Sequence, residues 1–180
     1  MRGIPGMGGM RPYGRSRDLM PMKGIEGLKD LGEQAEDDEK RLQGWASRVG
    51  EERARIALDV LKSSGSSGGY RSTTLPELLA EGYLRRQGAH YEAQYDLGWA
   101  RPDFVVWGSQ AAPAGVLVIR VQGDYWHAGT AAKDAAQKAQ LLTATVRGSP
   151  ILSVMDVWES RIYQSDAVME AAMRGEEFGQ

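Results

Sequence analysis

Apolar residues recur along this chain in two rhythms, and the change from one to the other divides it. Between residues 33 and 62, Leu42, Trp45, Val49, Ile56 and Val60 return at steps of three, four and seven. That spacing predicts one amphipathic helix. The acidic block Glu36-Asp37-Asp38-Glu39 precedes the stripe, which suits a helix N-terminus. A Ser/Gly segment at 63–70, beginning SSGSSGG, follows and reads as a flexible linker.

From residue 71 to 180 the pattern alternates. LPELLAEGYLRRQG (75–88) aligns Leu75, Leu78, Leu79 and Tyr83 on one helical face, and Gly88 closes the helix. HYEAQYDL (90–97) alternates as a short strand. DFVVW (103–107) begins a strand just after Pro102, where proline is tolerated. GVLVIRVQ (115–122) is almost continuously apolar, as a central buried strand would be. An amphipathic helix over 131–146, a second buried strand over 151–158 and a helix over 166–174 complete the series. The expected fold class is α/β in the order α-β-β-β-α-β-α. A helix between two neighbouring strands implies a partly parallel sheet with a right-handed crossover.

Composition changes the picture mainly at the start. Residues 1–32 are rich in Gly, Met, Pro and Arg and have no sustained period. Such a segment buries too little apolar surface to offset its ordering entropy. Residues 1–62 are therefore expected to contact other protein subunits in a multi-subunit assembly. No run approaches the ~20 apolar residues of a membrane span, and no secretory h-region opens the chain. The expected location is cytoplasmic, or virion-associated for a phage protein. The absence of cysteine excludes disulfides and thiolate zinc sites, so no zinc is expected.

The formal net charge is −2. From Arg71 onward 10 Lys+Arg stand against 13 Asp+Glu, whereas Arg2, Arg11, Arg15 and Arg17 precede any acid. That balance argues against a tight autonomous DNA binder, which would carry a basic footprint.

Four pieces carry candidate chemistry: Glu77, Arg101-Pro102-Asp103-Phe104, Gln122-Gly123-Asp124-Tyr125-Trp126-His127, and Val157-Trp158-Glu159. Phosphodiester hydrolysis uses a carboxylate to hold a divalent cation and a base or metal-bound water as nucleophile. An Asp opening one strand and a His just past its neighbour would set both at one sheet end. Each piece also has a plainer reading. Trp107, Trp126 and Trp158 suit core aromatics, His127 a packed imidazole, and Arg85-Arg86 a solvated helix face.

These motifs, with PDF, GDYWH and VWE in that order across roughly 100 residues, make the chain resemble the very-short-patch-repair (Vsr) endonucleases of the PD-(D/E)XK restriction-endonuclease-like superfamily. The resemblance implies Asp103 as ligand of Mg²⁺, with the Val121 carbonyl as a second oxygen. His127 would be the general base or a phosphate-side acid, and Glu77 would orient it or bind metal-bound water. Gln122, Tyr125 and Trp126 would lie on the DNA side of the cleft. The sequence departs from the superfamily where Arg120-Val121-Gln122 replaces the (D/E)XK triplet. Glutamine supplies neither charge nor a titrating proton, and an inward Arg120 would repel a cation. Asp124 is an alternative ligand. Two functions remain open: a Mg²⁺-dependent, nicking DNA endonuclease, or a degenerate nuclease fold serving as a connector in a phage particle or other assembly.

Overall fold

A computed structural model describes residues 24–65, 74–123 and 131–178. The chain forms two compact units, Met1–Glu36 and Asp37–Gln180. Of the first, the described part is the opening of α1 (Gly24–Val49). The second unit is mixed α/β. After α1 come α2 (Glu51–Gly65), α3 (Leu75–Arg86), β1 (His90–Ala93), β2 (Phe104–Trp107) and β3 (Val116–Gln122). Then follow α4 (Ala131–Leu141), β4 (Thr145–Val146), β5 (Ser149–Trp158), α5 (Glu159–Gln164) and α6 (Ala167–Arg174).

The five described strands form one sheet in the order β1-β2-β3-β5-β4. β1, β2 and β3 pair antiparallel, and β3 and β5 run parallel with α4 between them in sequence. β3 and β5 are apolar on both faces because both are covered. Leu117, Ile119, Met155 and Val157 pack with Leu78, Leu84 and Met169 in one cluster, while Val116, Val118, Ile151 and Val154 pack with Leu141 of α4 in another. The period of two thus sends successive residues of each strand into different cores. A register shift beside Val116–Leu117 leaves Leu152 exposed. Gly115 permits that approach, since a Cβ there would lie 2.5 Å from the Pro150 carbonyl oxygen.

Several boundaries differ from the sequence expectation: the helix expected from residue 33 begins at Gly24, inside the segment 1–32 expected to be an extended tail, and the strand expected over 90–97 ends at Ala93. The helix expected over 33–62 is two helices, because Gly50 adopts φ +85 between them; only glycine takes that conformation without steric cost. The helix expected over 131–146 ends at Leu141. Arg147 (φ 49) and Gly148 (φ 81) instead make a tight turn that folds β4 back on β5, as a two-residue hairpin loop requires. Ser63 to Gly65, read as linker, continue α2.

The core also starts earlier than residue 71. Ala57 and Val60 of α2 are buried in the cluster built on α3, with Trp45 and Val49 of α1 packed against it. Trp45 and Val49, expected to meet other subunits, are partly buried by their own chain. The helices approach closely at Gly82, where a Cβ would stand 2.5 Å from Ile56 Cγ2. Arg53 fastens α2 further, donating to the carbonyls of Ile162 and Tyr163 at 2.6 and 2.8 Å and to Asp166 at 2.9 Å. Arg85 and Arg86 lie on an exposed helix face, as expected, and are also paired there: Arg85 binds Glu81 and Tyr91, and Arg86 binds Asp166. No helix among the described residues is long and apolar enough to cross a membrane.

Candidate functional site

Asp103 stands immediately before β2, beside the C-terminal end of β3. Its Oδ2 accepts the Val121 N–H at 2.7 Å. Glu77 lies in the first turn of α3, three residues after the N-cap Thr74. Its Oε1 accepts the Thr74 hydroxyl at 2.8 Å, and its carboxylate also accepts a Thr74 backbone N–H. The latter is half of a capping box, a structural duty that accounts for an acid at this position.

Gln94 joins the two carboxylates. Its Nε2 donates to Glu77 Oε2 and to Asp103 Oδ1, both at 3.2 Å. The residue follows β1 and holds φ 54, a left-handed conformation unusual for a side chain larger than glycine. Holding it there costs on the order of 1–3 kcal/mol. Its backbone N–H donates to the Asp103 carbonyl at 2.7 Å, extending the β1–β2 ladder by one bond.

Both carboxyls titrate above their ordinary range. Burial is the main cause at Glu77, reinforced by the negative charge of Asp103 and partly offset by the bonds from Thr74 and Gln94. At Asp103 burial again dominates, and the Val121 N–H, Gln94 and the positive charge of Arg120 work against it. Two desolvated acids, one of which raises the other's proton affinity, favour a positive charge placed beside them.

An open cleft of about 160 Å³ adjoins Asp103, and Arg101, Arg120, Gln122 and Gln137 also line it. Arg120 is buried. It donates to Asp156 through Nε at 2.6 Å and Nη2 at 2.8 Å, and to Gln137 at 3.0 Å. Gln122 donates to the same Asp156 at 2.9 Å. Arg120 and Gln122 therefore converge on an acid supplied by β5. A larger cleft, about 270 Å³, lies at Ser63, Glu81, Arg85 and Tyr91, but its acid and base already bind one another.

Of the residues singled out in the sequence, Glu77 and Asp103 meet at Gln94, and Gln122 lies across the same cleft. Val121 meets Asp103 through its N–H. Asp124, Tyr125, Trp126 and His127 lie outside the described residues, as does the tail before residue 24. Trp107 packs against the α4-side cluster and stacks on His90 at 4.9 Å. Among the described residues no group of three or more His, Cys, Asp or Glu could hold a metal ion.

The sequence reading missed Gln94, Gln137 and Asp156. Asp156 had a signal: it is the one charge in the apolar run ILSVMDVW, as Arg120 is in GVLVIRVQ. Opposite charges interrupting two buried strands need each other. No protein-family model, curated protein or solved structure matches this chain.

Proposed function

We propose that this protein is a Vsr-like, divalent-cation-dependent DNA endonuclease of the nicking type, built on a restriction-endonuclease-like core. The observation that carries this reading is the convergence of Glu77 and Asp103 on one amide at the end of the sheet. β3 runs out there towards residues 124–127. Three antiparallel strands followed by a helix and a parallel strand agree with the order that the resemblance implies.

The donor chemistry fits Mg²⁺, which takes oxygen ligands, commonly one or two carboxylates, and keeps several waters. Asp103 would hold the ion and Glu77 would bind it or its water. Arg120 does not stand against this, because Asp156 offsets its charge. When bound, Mg²⁺ polarises the scissile phosphate and lowers the pKa of a water. His127 would take the proton from the attacking water. Gln122, Tyr125 and Trp126 would meet the DNA.

The test is nicking of duplex, mismatched and single-stranded DNA at millimolar Mg²⁺. Wild-type protein should nick at least one substrate. Asp103→Ala should abolish nicking, and His127→Ala should lower it roughly 10²–10⁴-fold, with the fold intact. No nicking of any substrate by the wild type rejects the reading.

A second reading, an inactive nuclease fold used as a connector in a phage particle or other assembly, is favoured by one observation. Arg120 and Gln122, which replace the triplet, are both committed to Asp156. Under it, contacts with other subunits fall to the part of the chain before Asp37.

A further inference from the structure

Two amides on the lining of the cleft beside Asp103 have their orientation settled by charge. Gln122 Nε2 donates to Asp156 Oδ1 at 2.9 Å, and Gln137 Oε1 accepts from Arg120 Nη1 at 3.0 Å. A carboxylate only accepts and a guanidinium only donates, so neither amide can be turned over without setting like against like. The remaining atoms follow. Gln122 offers its carbonyl oxygen and Gln137 its N–H₂, and neither of these atoms bonds another described residue. Arg120, buried and joined to Asp156 by two bonds, holds both amides from behind. Arg101 stands on the same lining, and Trp99, one residue before the lining residue Ala100, is 45% exposed.

We infer that this cleft takes the hydrogen-bonding edge of one unpaired nucleobase, Gln122 Oε1 accepting from it and Gln137 Nε2 donating to it. This rests on the proposed DNA nuclease function and names the part of the substrate that the cleft meets. The pairing edge of a nucleobase sets an N–H donor beside an oxygen or nitrogen acceptor, the complement of the two free amide atoms. In a duplex that edge is spent on the partner base, so the cleft selects single strands and extruded bases. Size agrees. Pockets that enclose a drug-sized molecule run to ~300–1,000 Å³, whereas about 160 Å³ holds one ring and leaves sugar and phosphate outside. Arg101 is exposed, and its surface pair with Asp96 is weak enough to exchange for a phosphate. Trp99 offers an indole face on which a neighbouring base can stack. With a net charge of −2 the chain attracts a phosphate backbone poorly, so base contacts carry an unusual share of the affinity.

Fluorescence anisotropy of a short labelled DNA strand titrated with the full chain, in EDTA so that no cleavage enters, tests the inference. Wild type should bind the single strand, and about tenfold more weakly when it is annealed to its complement or replaced by an abasic strand of equal length. Gln137→Glu keeps an oxygen for Arg120 and removes the free donor. Gln122→Lys keeps a donor for Asp156 and removes the free acceptor. One change adds negative charge and the other positive, yet both should weaken binding about tenfold. Gln140→Glu, on the same helix but off the lining, repeats the first charge change and should bind as wild type does. Binding that Gln122→Lys leaves unchanged or strengthens overturns the inference, because charge alone then explains the variants. Equal binding of the abasic strand, or preference for the duplex, overturns it too, and so does no binding of any strand. Nicking assayed separately with Mg²⁺ decides the nuclease reading in each of those cases. Should Gln122→Lys fail to fold, Gln137→Glu against Gln140→Glu decides alone, and equal affinities overturn the inference.

Discussion

Arg120 and Asp156 are register partners on the parallel strands β3 and β5, and the guanidinium meets the carboxylate through two bonds of 2.6 and 2.8 Å. Arg120 is buried and Asp156 partly so, and the pair carries Gln122 and Gln137 with it. Breaking such a pair from one side leaves an uncompensated charge. Asp156→Ala should cost about 3–5 kcal/mol, whereas Arg120→Met with Asp156→Leu should recover most of that loss. Urea denaturation of the wild type and the two variants decides it; a single mutant as stable as the double would refute the coupling.

The raised proton affinities of Glu77 and Asp103 make a pH prediction. In the unfolded chain they titrate near their ordinary values of 4.5 and 3.8, and in the fold they hold protons to higher pH. Between those limits the native state binds more protons than the unfolded one, so stability falls as pH rises. Their contribution is most favourable below the unfolded values and is lost as pH climbs through the folded ones. Glu77→Gln removes one of these acids. Its Tm advantage over wild type should therefore appear on going from pH 4 to pH 7. An advantage that is the same at both values contradicts the account.

Close approaches of backbone to neighbouring chain predict which glycines resist substitution. Gly82→Ala sets a methyl against Ile56 in the α2–α3 crossing, and Gly115→Ala sets one against the Pro150 carbonyl. Each should cost about 1–3 kcal/mol as overpacking. Gly44→Ala, in a helix with open space around it, should be neutral or slightly stabilising. Thermal denaturation of the three proteins gives the ranking.

Truncation separates the compact unit from the segment before it. A chain starting at Asp37 keeps all of α2 and should fold. A chain starting at residue 71 loses Ala57, Val60 and Arg53, and uncovers Leu78 and Leu79 of α3. Burial of a single Val-sized side chain contributes about 1.5–3 kcal/mol, so the shorter fragment should unfold at several degrees lower temperature. Equal melting of the two fragments would show α2 to be an accessory.

The central strands were legible because 115–122 and 151–158 are apolar on both faces, a pattern that only a covered sheet demands. Element ends were less so. Gly50 takes one left-handed step, after which the helical stripe resumes almost in phase, so periodicity runs through it. Past Leu141, Thr143 and Ala144 prolong a helix-like reading, and the Arg147–Gly148 turn resembles a helix stop until its hairpin partner is known. At the site, Glu77 and Asp103 carried a motif. Gln94 had none, because its left-handed backbone breaks the alternation of β1 and points the amide where a strand residue would not reach. Asp156 needed Arg120 across the sheet before its placement made sense.

The sheet has an economy of edges. β3, with seven residues, lies inside between β2 and β5, and the margins include β1 with four and β4 with two, the latter pairing only with Ser149 and Pro150 of the ten-residue β5. Short margins offer few consecutive free N–H and C=O groups to another chain. The Arg147–Glu92 ion pair, at 2.7 Å, adds charge from the hairpin turn and from β1. At these two margins a foreign strand would find little ladder to extend and charged side chains beside it. The apolar sequence VLVIRV, which lies between β2 and β5, is thus withheld from intermolecular pairing as long as the native topology holds.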